Sequence, residues 1–316
     1  MEHFFNDTTN TFSKRHRIHT SAPIGLIFHP PEYFNQLLEN PLLYLAKTGD
    51  SSAALKLVRQ QCSTPLTLPN ELKQLSGKKL TLMSVPSTTG RNCLPFVLGR
   101  FLSERLKKEF NIQTTFLNGD QLIATQHTCM LKLIPVNQRI FFPRRYTFVS
   151  NKAKDKLHTS CPIMLIEDLL VTGASAFAVK RFFDKNKITA PFLSALSGSA
   201  DIVPDEKDVQ TAITLLNQLD TKINWDLLTD ELSREEINTL ILRLKSAFNH
   251  HNSIHRTNLK NRLILTYRER VDGDTMAGRL LAADLKADKQ EHTMAEEYKN
   301  KIQSIFRQFN TTVDDT

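Results

Sequence analysis

The sequence predicts an α/β protein with a parallel sheet at its centre and mainly helical additions at both ends. Between residues 79 and 203, short apolar runs typical of buried strands alternate with amphipathic segments of helical spacing. Before and after that range, helical spacing of apolar residues dominates. Strands separated by helices are typical of parallel sheets. We therefore divide the chain into an N-terminal helical or irregular extension (1–78), an α/β core (79–203) and a mainly helical C-terminal region (204–316).

The composition is that of an ordinary globular protein. Of the 316 residues, 40% are hydrophobic and 23% are charged, which excludes a chain that is disordered throughout. No apolar run approaches the roughly 18–20 residues that a membrane helix needs, and the first 20 residues lack the apolar stretch of a secretory signal. The four cysteines are scattered without a CxxC pair, as in a reducing compartment. We expect a cytoplasmic protein with no membrane contact.

The N-terminal extension has two segments with a pattern. The apolar residues 23–28 indicate a strand or a packed arm ahead of a Pro-Pro pair. Residues 32–60 have helical spacing that is broken near Gly49-Asp50, since glycine interrupts a helical pattern. We therefore expect two or more helices before the core begins.

The core contains four predicted strands, at residues 79–85, 113–117, 162–166 and 191–196. Amphipathic helices are predicted at 93–110 and 174–186, each between two of these strands. Residues 121–160 are less regular. This order of elements is the one that predicts the parallel sheet.

Helical signals dominate the C-terminal region. Helices are predicted at 208–219 and 233–248, and the second begins with Ser233-Arg-Glu-Glu236, which is a capping-box pattern. Residues 261–268 fit a strand or a helix. Residues 275–309 are highly charged and have helical spacing.

The positive charge is concentrated in one part of the chain. The whole chain has a net charge of +8, but residues 61–160 hold 15 basic and 5 acidic residues, a local net charge of +10. Such a segment attracts polyanions, which include nucleic acid, a membrane surface and a phosphorylated small molecule. A solvated basic surface without a ligand is the other interpretation.

The most informative segment is residues 163–175, in which an apolar strand is followed by a Glu-Asp pair and a turn that opens a helix. Ligands of open α/β sheets bind at the carboxyl ends of the strands. Gly173 lets backbone N–H groups approach an anion, while Thr172 and Ser175 add hydroxyl donors near the helix N-terminus. The two carboxylates can accept hydrogen bonds from the vicinal hydroxyls of a sugar. The segment therefore indicates a ribose 5-phosphate site.

This segment resembles the signature of the type I phosphoribosyltransferases, which use phosphoribosyl pyrophosphate (PRPP). The signature has four apolar residues, Asp or Glu, Asp, two aliphatic residues, a small or acidic residue, Thr or similar, Gly, any residue, and Thr or Ser. Residues 163–175 conform at each position, and the resemblance covers roughly residues 79–203. It implies a phosphoribosyltransferase-type core in which Glu167 and Asp168 bind the ribose hydroxyls.

The resemblance also assigns the 5-phosphate to the loop after the acidic pair. The residues of that loop are Val171, Thr172, Gly173, Ala174 and Ser175. In members that act on 6-oxopurines the position of Val171 is often Asp. The aliphatic residue here therefore disfavours that substrate class.

The family has a second loop, which binds pyrophosphate after an earlier strand. In this chain the matching segment follows the strand at 79–85, and its candidate residues are Ser87, Thr88, Thr89, Gly90 and Arg91. Simple capping of the helix at 93–110 is the alternative interpretation of this turn.

A mobile loop of the family, which closes over PRPP, corresponds to residues 121–160. Within it, Arg139, Arg144 and Arg145 could meet pyrophosphate, from the same or a neighbouring subunit; Arg144 and Arg145 are the candidates we retain. A solvated basic loop is again the alternative.

The resemblance implies an enzyme that binds PRPP with Mg²⁺ and transfers its phosphoribosyl group to a nitrogen acceptor, with a nucleobase as the expected acceptor. Asp168, Glu167 and Arg91 are the expected catalytic residues, and we expect a homo-oligomer. One alternative is a regulator that senses PRPP or a nucleotide without catalysis. Another is an effector or accessory protein of a mobile element or defence system. In either case the basic segment could bind nucleic acid, although a phosphorylated sugar accounts for its charge.

Overall fold

A parallel sheet of six strands organises the molecule. The structure is a computed structural model and describes residues 20–86, 91–126, 136–142, 144–158, 161–249 and 253–287. Six strands form the sheet, and β4 and β5 form a separate antiparallel pair. The strands are β1 (Ile24–His29), β2 (Lys79–Ser84), β3 (Gln113–Leu117), β4 (Ile123–Gln126), β5 (Arg145–Phe148), β6 (Ile163–Ile166), β7 (Leu169–Leu170) and β8 (Phe192–Gly198).

The order of strands in the sheet is β1-β8-β6-β2-β3, with β7 also paired to β8. Every one of these pairs is parallel, which confirms the predicted parallel α/β sheet. β6 and β8 are buried along their whole length, as expected of strands that are covered on both faces. The four strands predicted for the core lie within two residues of their expected ends.

The apolar segment near the N-terminus is an edge strand of the same sheet. β1 pairs with β8, with Ile24 opposite Phe192. The Ser194 hydroxyl, buried in β8, donates to the Leu26 carbonyl oxygen at 2.7 Å. The sheet therefore includes a strand from the N-terminal extension in addition to the core strands.

The described part of the chain forms twelve α-helices. Their bounds are α1 (Phe34–Leu38), α2 (Pro41–Thr48), α3 (Ser51–Gln61), α4 (Asn70–Lys73), α5 (Leu94–Phe110), α6 (Asn151–Leu157), α7 (Ala174–Lys185), α8 (Glu206–Asn217), α9 (Trp225–Thr229), α10 (Arg234–Asn249), α11 (Ser253–Tyr267) and α12 (Thr275–Ala287).

The predicted break at Gly49-Asp50 is confirmed and ends α2. Gly49 adopts a left-handed conformation, with φ of 115°, which glycine adopts without a steric penalty. The Asp50 carboxylate then accepts hydrogen bonds from the backbone amides of Ser52 and Ala53 and so caps α3. The boundary between α2 and α3 therefore lies where the sequence predicts it.

Helices cover both faces of the sheet. Because side chains alternate along a strand, neighbouring residues of β2 and β6 belong to different cores. Leu82 and Met164 pack with α2, α3 and α5, whereas Met83 and Leu165 pack with α6, α7 and the β4–β5 pair. The N-terminal helices therefore share one core with the sheet.

The C-terminal helices form a third core. Trp225 is 1% exposed at its centre, among residues of α8, α10 and α11. The short helical segment Val136–Phe141 contributes Ile140 and Phe141 to the same core. The segment 261–268, which the sequence left open between strand and helix, belongs to α11 up to Tyr267. Of the predicted helix 275–309, the part beyond 287 lies outside the described residues.

Candidate functional site

The strand order reverses between β2 and β6. From β2 the chain continues through α5 to β3 on one side, while from β6 it continues through α7 to β8 on the other side. Open α/β sheets bind ligands in the crevice at the carboxyl ends of the strands where this reversal occurs. In this chain the residues that follow β6 are Glu167 and Asp168, and those that follow β2 lead to Arg91 and Asn92.

The carboxylate of Asp168 is buried and has three partners. It is 4% exposed. Its Oδ1 accepts a hydrogen bond of 2.7 Å from the Leu169 amide. Its Oδ2 accepts from the Asn92 side-chain amide at 2.8 Å and lies 2.9 Å from the Lys47 ammonium. Lys47, from the N-terminal region, and Asn92, just before α5, therefore both contact Oδ2 of Asp168.

The backbone of Glu167 is hydrogen-bonded to β8, whereas one of its two carboxyl oxygens has no hydrogen-bond partner among the described residues. Its amide donates to the Ser194 carbonyl oxygen of β8 at 2.9 Å, and its Oε1 accepts weakly from the Asp168 amide at 3.4 Å. The other oxygen, Oε2, is buried without a hydrogen-bond partner among the described residues. A buried acceptor of this kind is costly unless a proton or a ligand satisfies it.

The two acids ionise differently. Burial raises the pKa of Glu167 well above its ordinary value, and the adjacent charge of Asp168 raises it further. Burial also acts to raise the pKa of Asp168, but the Lys47 charge and the hydrogen bonds from Lys47 and Asn92 outweigh it and hold that pKa below its ordinary value. Within the pair, the protonated form is thus favoured at Glu167 and the charged form at Asp168.

The turn after the acidic pair requires glycine at one position. Gly173 has a φ of 62°, in the left-handed region that other residues adopt at a cost. A Cβ atom at this position would also clash with the Ile202 side chain. The Thr172 hydroxyl accepts a hydrogen bond of 3.4 Å from the amide of Ala174, the first residue of α7. Gly173 thus directs the chain into the N-terminus of a 12-residue helix.

Two residues of the C-terminal region form hydrogen bonds to this turn and to the residue that packs against it. The Ser233 hydroxyl donates to the Thr172 carbonyl oxygen at 3.3 Å. The same serine forms the predicted capping box: its amide donates to Glu236 Oε2 at 3.0 Å, and its hydroxyl accepts from the Glu236 amide at 3.4 Å. The Arg234 amide donates to the carbonyl oxygen of Ile202, the residue that packs over Gly173.

The second predicted loop is only partly described. Ser87, Thr88, Thr89 and Gly90 lie outside the described residues, so their assignment to pyrophosphate stays a prediction. Arg91 is exposed. It lines a cleft between the ends of β2 and β3 together with the side chains of Asn92, Asn118 and Asp120.

The ends of β2 and β3 beside this cleft are joined by a hydrogen bond and a close backbone contact. The Gly119 amide donates to the Ser84 hydroxyl at 2.9 Å. The two backbones approach so closely that a Cβ atom at Gly119 would clash with the Ser84 carbonyl oxygen. The wall of the cleft is therefore fixed by a contact that only glycine permits.

Of the two arginines proposed to reach pyrophosphate, Arg144 has a buried partner. Its Nη1 lies 3.0 Å from Glu236 Oε1, and both side chains are almost fully buried. The same oxygen accepts from Arg270 at 3.2 Å. Arg145, in β5, has a buried Nη2 atom without a hydrogen-bond partner in the described part of the chain. A pyrophosphate contact by Arg144 would require its ion pair to open.

Three residues at this site were missed as functional candidates. Lys47 lies on a helix far from the signature in sequence, and no local pattern marks it as a partner of Asp168. Asn92 lies in the turn before α5, where capping is an equally simple interpretation; its side-chain oxygen accepts from the Leu94 amide at 3.3 Å. Ser233 was correctly predicted to cap α10, but its bond to Thr172 depends on tertiary structure.

The fold defines the chain as an α/β protein with a parallel six-stranded sheet and an acidic pair at its carboxyl edge. Comparisons of the chain with protein-family models, with curated proteins and with solved structures find no match. In the described ranges, no helix is both long and apolar enough to cross a membrane. The same ranges contain no group of three or more His, Cys, Asp or Glu side chains that could hold a metal ion.

Proposed function

We propose that this protein binds PRPP at the carboxyl edge of its sheet and transfers the phosphoribosyl group to a nitrogen acceptor. One observation carries the proposal: Glu167-Asp168 lies at the reversal of strand order and is followed directly by the Gly173 turn into α7. An acceptor pair for a diol next to a helix N-terminus for a phosphate suits ribose 5-phosphate. The resemblance of residues 163–175 to the phosphoribosyltransferase signature supports the same ligand.

The proposed binding mode uses each part of the site differently. The ribose hydroxyls donate to the carboxylate of Asp168 and to the Glu167 side chain, whose Oε2 has no partner among the described residues. The 5-phosphate accepts hydrogen bonds from the backbone amides of the Val171–Ser175 loop and from the hydroxyls of Thr172 and Ser175. Arg91, beside the cleft at the ends of β2 and β3, provides positive charge for the pyrophosphate.

The proposed reaction is a displacement at C1 of the ribose. The nitrogen lone pair forms a bond to C1 while the bond from C1 to the pyrophosphate oxygen breaks, and pyrophosphate leaves with that electron pair. The acceptor nitrogen loses its proton to the solvent or to the leaving group. The protein contributes mainly by holding the reactants in position and by stabilising the charge that develops on the leaving group.

Mg²⁺ fits this site as a partner of the ligand. The ion typically takes one or two carboxylates from a protein when phosphates supply its other oxygens. Glu167 and Asp168 supply two carboxyl groups, and Oε2 of Glu167 is an unused buried oxygen in the described structure. When bound with PRPP, Mg²⁺ would offset negative charge on the pyrophosphate.

A PRPP-sensing regulator without catalysis is the second candidate. It is favoured by the contacts that both flanking regions make with the proposed site, Lys47 with Asp168 and Ser233 with Thr172. A ligand that disturbs either contact would be coupled to helices outside the core. Such coupling is the requirement for a sensor.

Pyrophosphate release tests the proposal and separates the two candidates. The protein is incubated with PRPP, Mg²⁺ and a panel of nucleobases and other nitrogen acceptors. We expect acceptor-dependent release, which falls about 100-fold or more in Asp168→Asn because a charged hydrogen-bond acceptor for the ribose is lost. Asp155→Asn, at an exposed position of α6, is the matched control.

Each result has a distinct meaning. Unchanged turnover in Asp168→Asn would contradict the assignment of this site. Tight PRPP binding without release, for every acceptor in the panel, would favour the sensor. Absence of PRPP binding would overturn both candidates.

A further inference from the structure

Lys47 lies between the acidic pair and residues 91–93, which directly precede α5. It lies in the last turn of α2, and its ammonium is 2.9 Å from Asp168 Oδ2 while its side chain remains 34% exposed. The end of α2 also contacts the start of α5: the Cys93 amide and thiol both donate to the Ala46 carbonyl oxygen, at 3.3 and 3.1 Å. Gly49 faces the Arg91 carbonyl oxygen. The ammonium therefore lies next to the acidic pair, on a helix that is anchored to residues 91–93.

Among the three partners of Asp168, Lys47 is the one that a ligand can replace. The Leu169 amide belongs to the adjacent backbone. Asn92 is fixed at both ends, because its side-chain oxygen accepts from Leu94 while its nitrogen donates to Asp168. Lys47 reaches Asp168 through a flexible four-carbon stem and is partly exposed to solvent.

We propose that Lys47 is a substrate-contacting residue that selects PRPP over ribose 5-phosphate. On binding, a ribose hydroxyl takes its place on Asp168, and the ammonium moves to the negatively charged group attached to C1. The inference rests on the proposed function, since it assumes that the acidic pair binds ribose. It adds a residue outside the signature and a basis for choosing between ligands.

The selectivity follows from charge. Removing Lys47 from a buried carboxylate has a cost, because Asp168 loses a counter-ion in a poorly solvated position. PRPP offsets that cost, since it brings pyrophosphate charge to the C1 side. Ribose 5-phosphate has its only phosphate at the other end of the sugar, beside the Val171–Ser175 loop, and brings no negative charge to the C1 side.

Binding measurements on three ligands test the inference. Calorimetric titrations with Mg²⁺ compare PRPP, ribose 5-phosphate and inorganic pyrophosphate in the wild-type protein and in Lys47→Met. We expect the ratio of the two ribose-ligand Kd values to fall about tenfold or more in the variant, with PRPP binding weakened and ribose 5-phosphate binding unchanged or tighter. Lys56→Met, exposed on α3, should leave the ratio unchanged, and Lys47→Arg should restore part of it.

The three ligands distinguish failure of this inference from failure of the proposed function. If Lys47→Met changes both ribose ligands by the same factor, Lys47 has a structural role only and the inference is overturned while the function stands. If the wild-type protein binds pyrophosphate but neither ribose ligand, the proposed function is overturned and the inference, which depends on it, is overturned as well. Binding of none of the three ligands overturns both.

Discussion

The two regions that flank the core contact the proposed site in different ways. The N-terminal region reaches it through one charged side chain, Lys47, which is partly exposed and pairs with Asp168. The C-terminal region reaches it through Ser233, which binds the backbone of Thr172 and belongs to a buried network around Glu236. Our proposals therefore assign the two contacts different roles: Lys47 would be displaced by a ligand, whereas Ser233 supports the backbone of the Gly173 turn.

The C-terminal contact belongs to a buried network of ion pairs. Glu236 pairs with both Arg144 and Arg270 at almost full burial. Arg270 also donates to the backbone carbonyl oxygens of Ile140, Phe142 and Glu231. Because the side chains of Glu236, Arg144 and Arg270 are almost fully buried, each depends on the others for its hydrogen bonds. Function and stability are thus linked on this side of the site.

Breaking the buried network should have the largest effect on stability. Glu236→Gln leaves the guanidinium groups of Arg144 and Arg270 without a carboxylate, and loss of one partner from a buried ion pair typically costs about 3–5 kcal/mol. We expect a comparable loss in the free energy of unfolding, measured by urea titration. Glu235→Gln, the exposed neighbour on α10, should change it by less than about 0.5 kcal/mol. Equal effects of the two variants would contradict the importance of the network.

Substitution in the Gly173 turn, which Ser233 contacts at Thr172, should give the next largest effect. Gly173→Ala places a Cβ in a left-handed conformation, at a cost of about 1–2 kcal/mol, and also against Ile202. Gly77→Ala is the matched control, since Gly77 has a φ of 75° with no atom within 4 Å of its Cβ position. We expect Gly173→Ala to destabilise the protein more than Gly77→Ala and to weaken PRPP binding. Similar losses of stability would show that the Ile202 contact is relaxed easily.

The dependence of stability on pH should differ between Glu236, in the buried network, and Glu167, in the acidic pair. Burial acts to raise the pKa of Glu236, but the charges of Arg270 and Arg144 outweigh it and hold the pKa below the ordinary value of 4.5. Its contribution to stability is therefore present above pH 4.5 and is lost as the pH falls through the lowered pKa. Glu167 has a raised pKa, so its contribution is present below pH 4.5 and is lost as the pH rises through that raised pKa.

Melting temperatures across the pH range can separate these two effects. We expect Glu236→Gln to flatten the loss of stability on acidification and Glu167→Gln to flatten the loss as the pH rises through the raised pKa of Glu167. If Glu236→Gln instead flattened the loss at rising pH, and Glu167→Gln the loss on acidification, the directions of the two pKa shifts would be contradicted.

The sequence predicted those features that depend on local pattern. The strands of the core and the capping box at Ser233 follow from side-chain periodicity and from residues three positions apart, and both are present. Ion pairs between residues far apart in the sequence had no such signal. The sequence could not show that Lys47 pairs with Asp168, or that Arg144 turns to Glu236, because any of several basic residues has the right charge and only packing decides among them.

The pairing of β1 with β8 has a consequence for how the chain is made. Ser194 and Leu26, which are bonded across this pair, are separated by 168 residues. At about 5–20 residues per second, roughly 10–30 seconds pass between synthesis of the two strands. During that interval the apolar β1 segment lacks the strand beside which it lies in the finished sheet, and strands in this condition are prone to pair with other chains. A chain that stops before residue 192 would leave β1 permanently in that state.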